Sequence, residues 1–141
     1  KAMADHGVPA DPRWTFEGMY QTRLAFHGCL DLLSREDRPT AVFAANDLMA
    51  LGVMDTARTL GLKIPEDLSL VGFDDIRGVD MAIPPLTTVR QPSYQLGKIA
   101  AQHLLEVIAN PGSPALHQKL PAQLVVRSTT TASPAPREAK P

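Results

Sequence analysis

A single cysteine, Cys29, stands in this chain of 141 residues, so no disulfide can form within it. A lone thiol fits a reducing compartment, and the expectation is a cytoplasmic protein. Its neighbours Phe26, Leu30 and Leu33 are apolar, so Cys29 reads as a buried structural thiol. Aromatic residues are also scarce, at 5%, which makes Trp14 and Tyr20 the rings to weigh beside any pocket. Neither sign of charge is in excess: 14 Lys and Arg face 15 Asp and Glu, and no basic run occurs. Nucleic acid is held by a basic face that neutralises phosphates, so this stretch is not expected to grip DNA by itself. No apolar run reaches the roughly 20 residues that cross a bilayer, so no membrane partner is expected. No secretory leader is visible, and the sequence opens on Lys1 rather than Met.

Catalytic motifs are missing too. The chain has no Gly-x-Ser-x-Gly elbow, no Gly-x-x-x-x-Gly-Lys phosphate loop and no Gly-x-Gly-x-x-Gly. His6, His27, His103 and His117 are scattered, with no Cys or second His at ligand spacing. The adjacent carboxylates Asp74 and Asp75 alternate in direction at a strand end, which disfavours a pair sharing one proton. The expectation is no metal, no cofactor and no enzyme.

What is present is an alternation of strands and helices. Residues 1–12 read as a helix end closed by Gly7 and a proline-rich connection, and 13–16 as a short strand. At 22–33 the apolar Ala25, Phe26, Cys29, Leu30 and Leu33 recur at helical spacing. An apolar strand at 41–45 leads into a helix that Asn46 or Asp47 caps and Gly61 closes. Its stripe of Leu48, Leu51, Met54, Ala57 and Leu60 would face a core. Strands follow at 68–73 and 86–89, then a helix over 94–108 with Leu96, Ile99, Ala100 and Leu104 on one side. Two short strands near 116–120 and 123–127 close the ordered part, and 130–141 reads as a disordered tail. Strands alternating with helices of this length predict an α/β fold with a mostly parallel sheet flanked by helices. The continuous apolar strands fit a sheet covered on both faces.

In such sheets ligands bind beyond the carboxyl ends of the strands. Two of those ends are polar here: Ala44-Ala45 runs into Asn46-Asp47, and Gly72-Phe73 into Asp74-Asp75. An amide offers donor and acceptor, and a carboxylate accepts from neighbouring hydroxyls, which suits a polyhydroxylated ligand such as a sugar. Asp47 reads as the helix cap, leaving Asn46 to face the crevice. Asp75 reads as a solvated or loop-organising carboxylate, and Gly72 as a close approach of backbone at the rim.

Four blocks occur in order: Arg-Pro-Thr-Ala-Val-Phe-Ala-Ala-Asn-Asp-Leu-Met-Ala-Leu-Gly at 38–52, Gly-Leu-Lys-Ile-Pro-Glu-Asp-Leu-Ser-Leu-Val-Gly-Phe-Asp-Asp at 61–75, Pro-Pro-Leu-Thr-Thr-Val-Arg-Gln-Pro at 84–92 and Leu-Val-Val-Arg-Ser-Thr at 124–129. Together they resemble the effector-binding domain of LacI/GalR-family transcription repressors, over nearly the whole chain. The resemblance implies a type I periplasmic-binding-protein-like fold of two lobes with the ligand between them. Residues 1–91 would form most of the C-terminal lobe, 92–121 would cross to the N-terminal lobe and 122–129 would return. The DNA-binding headpiece is absent from these residues. By motif, Asn46 and Asp74 would bond the effector, and Tyr20 would stack on its ring, with Trp14 as the alternative aromatic. The partners implied are a small-molecule effector, expected to be a sugar, a second copy in a homodimer, and operator DNA through the headpiece. Residues 49–58 could contribute to the dimer face, or pack in the core. A sugar-binding receptor of a transport or chemotaxis system shares the fold and is the alternative function.

Overall fold

A computed structural model describes residues 2–8 and 11–132. Lys1, the Pro9-Ala10 part of the expected connection, and most of the expected tail, at 133–141, lie outside the described residues. After a short helix, α1 (Ala2–Asp5), the chain makes a single 3-10 turn at Pro12–Trp14, where a strand was expected. The turn wins because Asp11 caps it, accepting the Arg13 amide at 2.9 Å, and because Pro12 has its backbone angle fixed already.

Helices α2 (Thr22–Leu33) and α3 (Asp47–Thr59) pack against each other and supply most of the core. Ala25, Cys29, Leu32 and Leu33 of α2 are buried, as are Met49, Ala50, Val53, Met54 and Ala57 of α3. Gly52 lets the helices touch, since a β-carbon there would lie 2.3 Å from the Thr22 carbonyl oxygen. Thr56 closes the same contact by donating its hydroxyl to the carbonyl of Phe26 at 3.0 Å. The expected α3 stripe holds at Met54 and Ala57, with Leu51 and Leu60 partly buried against the core, but at its start Leu48 is 45% exposed and Met49 turns inward instead. Much of 49–58 is therefore core, and the outward residues of that stretch are Asp55 and Arg58, which pair with each other at 3.0 Å.

Strands β1 (Ala41–Phe43) and β2 (Ser69–Val71) run parallel, with Val42 opposite Leu70. On the other side of β2, Val71 bridges Thr87 and Asp74 bridges Arg90, both in parallel sense. That line continues as β3 (Thr88–Arg90), which pairs antiparallel with β4 (Gln123–Val125). The mostly parallel arrangement thus ends on one antiparallel pair. Leu68, Leu70, Val79 and Leu86 fill the space between this sheet and the helices.

Between β3 and β4 lies α4 (Ser93–Ala109), none of whose residues is buried. Its apolar side, with Leu116 and Leu120, lines an open groove of about 540 Å³. The strand expected near 116–120 is not formed, because that extended segment has no neighbouring strand to pair with among the described residues. Thr130 and Thr131, assigned to the tail from sequence, are tied down instead, Thr130 to the Thr87 hydroxyl and Thr131 to that of Ser69. Thr129 before them is fully buried and bridges the Leu70 carbonyl and the Thr87 amide.

Candidate functional site

Because β1 and β2 are parallel, their carboxyl ends open on one edge of the sheet, and the polar residues that follow them meet there. The Asp47 amide donates to the Phe73 carbonyl at 2.8 Å, lacing the two ends together. Asn46, in extended backbone, is the cap of α3: its Oδ1 accepts the Met49 amide at 2.8 Å, and its Nδ2 donates to the Tyr20 carbonyl at 3.4 Å. Asp47 is not the cap. Its carboxylate is fully buried, with Oδ1 accepting the Thr88 hydroxyl at 2.6 Å and Oδ2 the Ile76 amide at 2.9 Å. The cap is thus Asn46 and not Asp47, which the sequence favoured for it. The first helical residue points back over the sheet edge, where an amide and a hydroxyl need an acceptor, and the residue before it is left to cap.

Gly72 also serves Asp47. A β-carbon there would stand 2.3 Å from Asp47 Oδ1 and 3.1 Å from a Leu86 methyl, so only glycine admits the carboxylate. The close approach at this rim is made by a side chain of the protein.

Asp74 and Asp75 both adopt positive φ, 112° and 56°, where residues with a side chain are uncommon. Each such residue costs on the order of 1–3 kcal/mol and persists only when its surroundings hold it. The hold is visible here. The Asp74 amide donates to the Val89 carbonyl at 2.9 Å, and Asp74 Oδ1 accepts Gln91 Nε2 at 2.5 Å. Asp75 is gripped by two guanidinium groups, Arg90 Nε at 2.6 Å on one oxygen and Arg127 Nη2 at 2.7 Å on the other. Burial pushes the Asp75 carboxyl up, but the bonds from Arg127 and Arg90 outweigh it and hold it below the usual carboxylate range. Asp75 organises the loop, and with its side chain only 8% exposed it is not solvated. Asp74 is half-buried, and its Oδ2 has no partner among the described residues.

Tyr20 follows Met19 in left-handed backbone, with φ of 48° at Met19 and 56° at Tyr20, and the residue is 68% exposed. Its carbonyl meets Asn46, so the loop before α2 joins the same edge as the strand ends. Trp14 is elsewhere: with Phe16, Val42, Phe43 and Met49 it lines an apolar groove of about 450 Å³ that Asn46, Asp74 and Tyr20 do not border. Arg13 lies over its ring at 5.3 Å. Among the described residues no group of three or more His, Cys, Asp or Glu gathers as a metal site would require.

Sequence reasoning missed Gln91, Arg90 and Arg127. They sit 17, 15 and 52 residues from their carboxylate partners, and no local spacing rule links positions so far apart. The one available signal was that all three fall inside the quoted blocks.

The sequence profile of the periplasmic binding protein-like domain matches residues 1–130. Among curated proteins, the HTH-type transcriptional repressor PurR of Vibrio vulnificus (strain CMCP6) is 40% identical over 129 residues, covering 92% of this chain and 39% of that protein. The chain thus spans about two fifths of the length of that relative. Among solved structures, the transcriptional regulator CelR in complex with cellobiose matches with a TM-score of 0.85 and 31% identity, over 91% of this chain and 39% of that one. A LacI-family transcriptional regulator from Enterococcus faecalis V583 with bound ribose matches with a TM-score of 0.71 and 37% identity, over 78% of this chain and 40% of that one.

Proposed function

The chain belongs to the periplasmic binding protein-like domain family, among the LacI-family transcriptional regulators, and on that premise we propose that it senses a small-molecule effector, a sugar, for a DNA-binding repressor. Residues 1–91 are read as most of the C-terminal lobe of the sensing domain. Residues 92–121 cross to the other lobe, 122–129 return, and operator DNA is held by a headpiece outside these 141 residues. The exposed apolar side of α4 supports that reading, since a helix with no buried residue needs a partner surface.

The observation that carries the proposal is Asp74: a half-buried carboxylate at the carboxyl end of a parallel strand, held in strained backbone, with one oxygen unpartnered among the described residues. A carboxylate so placed accepts from a ligand hydroxyl or ring N–H. Asn46 lies on the same edge and keeps one amide N–H beyond the bond to Tyr20. Tyr20 meets Asn46 through its backbone carbonyl and is exposed, and its ring is read as the group that covers the face of a sugar ring. All three are binding groups, and the site is read as a sensor rather than a catalyst. An effector bound between lobes favours one lobe arrangement over another, which alters how a homodimer presents its two headpieces. Among the described residues no helix is long and apolar enough to cross a membrane, and the protein is proposed to act in the cytoplasm.

The test is calorimetry on the two-lobed protein with ribose, cellobiose and hypoxanthine, a nucleobase control with ring N–H donors. Binding of a sugar, weakened by Asp74→Ala by about 1.5–3 kcal/mol, the worth of a hydrogen bond to a charged group, supports the reading. Unchanged affinity in Asp74→Ala removes Asp74 from the site, and preference for hypoxanthine removes the sugar.

A further inference from the structure

We propose that Gln91 is a positioning residue of this ligand site: it fixes one oxygen of Asp74 so that the crevice is offered the other as a single directed acceptor. The inference rests on the sensing role of Asp74 and adds a residue to it.

The amide of Gln91 donates to Asp74 Oδ1 at 2.5 Å, a charge-assisted bond and the only side-chain bond Asp74 makes among the described residues. Gln91 is half-buried and follows directly on β3, one residue before Pro92 and two before α4 begins. Val89, two residues earlier, accepts the Asp74 amide at 2.9 Å, so backbone and side chain of Asp74 are both held by this one segment. A carboxylate free at both oxygens can turn to take two donors side by side. With Oδ1 held, Asp74 presents one acceptor in one direction, which selects for ligands by where a single hydroxyl or N–H falls. The residue type is decisive: an amide donates to the carboxylate, whereas a glutamate of the same shape would repel it. The bond also ties the acceptor to the start of the segment 92–121, so a ligand pulling on Asp74 acts on the direction in which that segment leaves the lobe.

A double-mutant cycle on the two-lobed protein separates positioning from direct contact. The probe is whichever of ribose, cellobiose and hypoxanthine the wild type binds. Gln91→Ala is expected to lower affinity about tenfold, and to cost nothing further in an Asp74→Asn background. Gln91→Glu is expected to lose more at pH 7 and to recover as the pH is taken toward 5 and the introduced carboxyl protonates. An equal loss from Gln91→Ala in both backgrounds would mean that Gln91 touches the ligand itself, and it overturns the proposal, as does no loss at all. If the wild type binds none of the probes, the sensing role fails for them, and the Gln91 side-chain amide signals in an NMR spectrum decide the positioning separately. They should lie downfield, move back in Asp74→Asn and stay in place in Asn46→Ala. Signals unmoved by Asp74→Asn overturn it.

Discussion

The buried carboxylate of Asp47 accepts the hydroxyl of Thr88 at 2.6 Å, and so joins the first turn of α3 to β3 across the end of β2. Its other oxygen takes the Ile76 amide, which fixes the loop just after Asp74 and Asp75. One side chain therefore holds three elements that frame this edge of the sheet. Removing it leaves a buried hydroxyl and a half-buried amide without an acceptor. Asp47→Ala is expected to destabilise the chain by about 2–3 kcal/mol, the desolvation cost of such orphaned groups. Urea unfolding measures it, and a loss below half a kcal/mol would show that water replaces the carboxylate at no cost.

How much of this was legible beforehand depended on the range of the interaction. The α2 stripe of Ala25, Cys29 and Leu33 was readable because helical period and burial coincide within one element. The polar strand ends were readable because parallel strands bring them to one edge. Asn46 and Asp47 were not separable, since either side chain suits a helix start, and the Thr88 hydroxyl that claims Asp47 is 41 residues away. Within the α3 stripe only Leu48 departs, for a related reason: Leu48 and Met49 are both apolar, and the packing of α2 against Gly52 turns Met49 inward while Met54 and Ala57 stay buried as expected. Residues 116–120 looked like a strand by composition, but a strand needs a neighbour, and composition does not supply one.

Gly72→Ala tests the close approach from the other side. Its β-carbon would meet Asp47 Oδ1 at 2.3 Å, and the carboxylate is pinned at both oxygens. Overpacking of this kind costs about 1–3 kcal/mol. In an Asp47→Ala background the obstruction is gone, so the same substitution should cost much less there. Equal losses in the two backgrounds, read from denaturation midpoints, would show that Leu86 and not Asp47 sets the requirement for glycine.

Cys29 faces the α2–α3 contact with no exposed surface, and burial pushes its thiol up to about 12. At pH 8 that leaves about one thiol in ten thousand ionised, and the thiolate is the reactive form. A disulfide reagent such as dithionitrobenzoate should leave the folded protein unmodified over an hour and react fully once urea unfolds it. Rapid stoichiometric reaction of the folded chain would contradict the packing of α2 on α3.

Asp75 sets a pH limit on the loop at this edge of the sheet. Its carboxyl titrates below the ordinary value in the fold, the bonds from Arg127 and Arg90 outweighing its burial, so folding favours its charged form. The sign follows from that depression. The stabilisation is complete above the unfolded value of about 4 and is lost as the pH falls through the lower folded value. Asp75→Asn should therefore be less stable than the wild type by about 1.5–3 kcal/mol at pH 7, with the gap closing below about pH 4. The two arginines should not contribute equally. The Arg127 side chain is 16% exposed and also donates to the Leu86 carbonyl at 2.7 Å, whereas that of Arg90 is 52% exposed and its pairing is screened by water. Arg127→Ala should accordingly reproduce most of the Asp75→Asn loss, and Arg90→Ala only a small part. Because Arg127 follows β4 and Arg90 ends β3, the larger share of the clamp lies just after β4. Urea midpoints at pH 7 and pH 3.5 for the three variants decide it, and a gap that persists unchanged at pH 3.5 would show that the carboxylate charge is not what holds the loop.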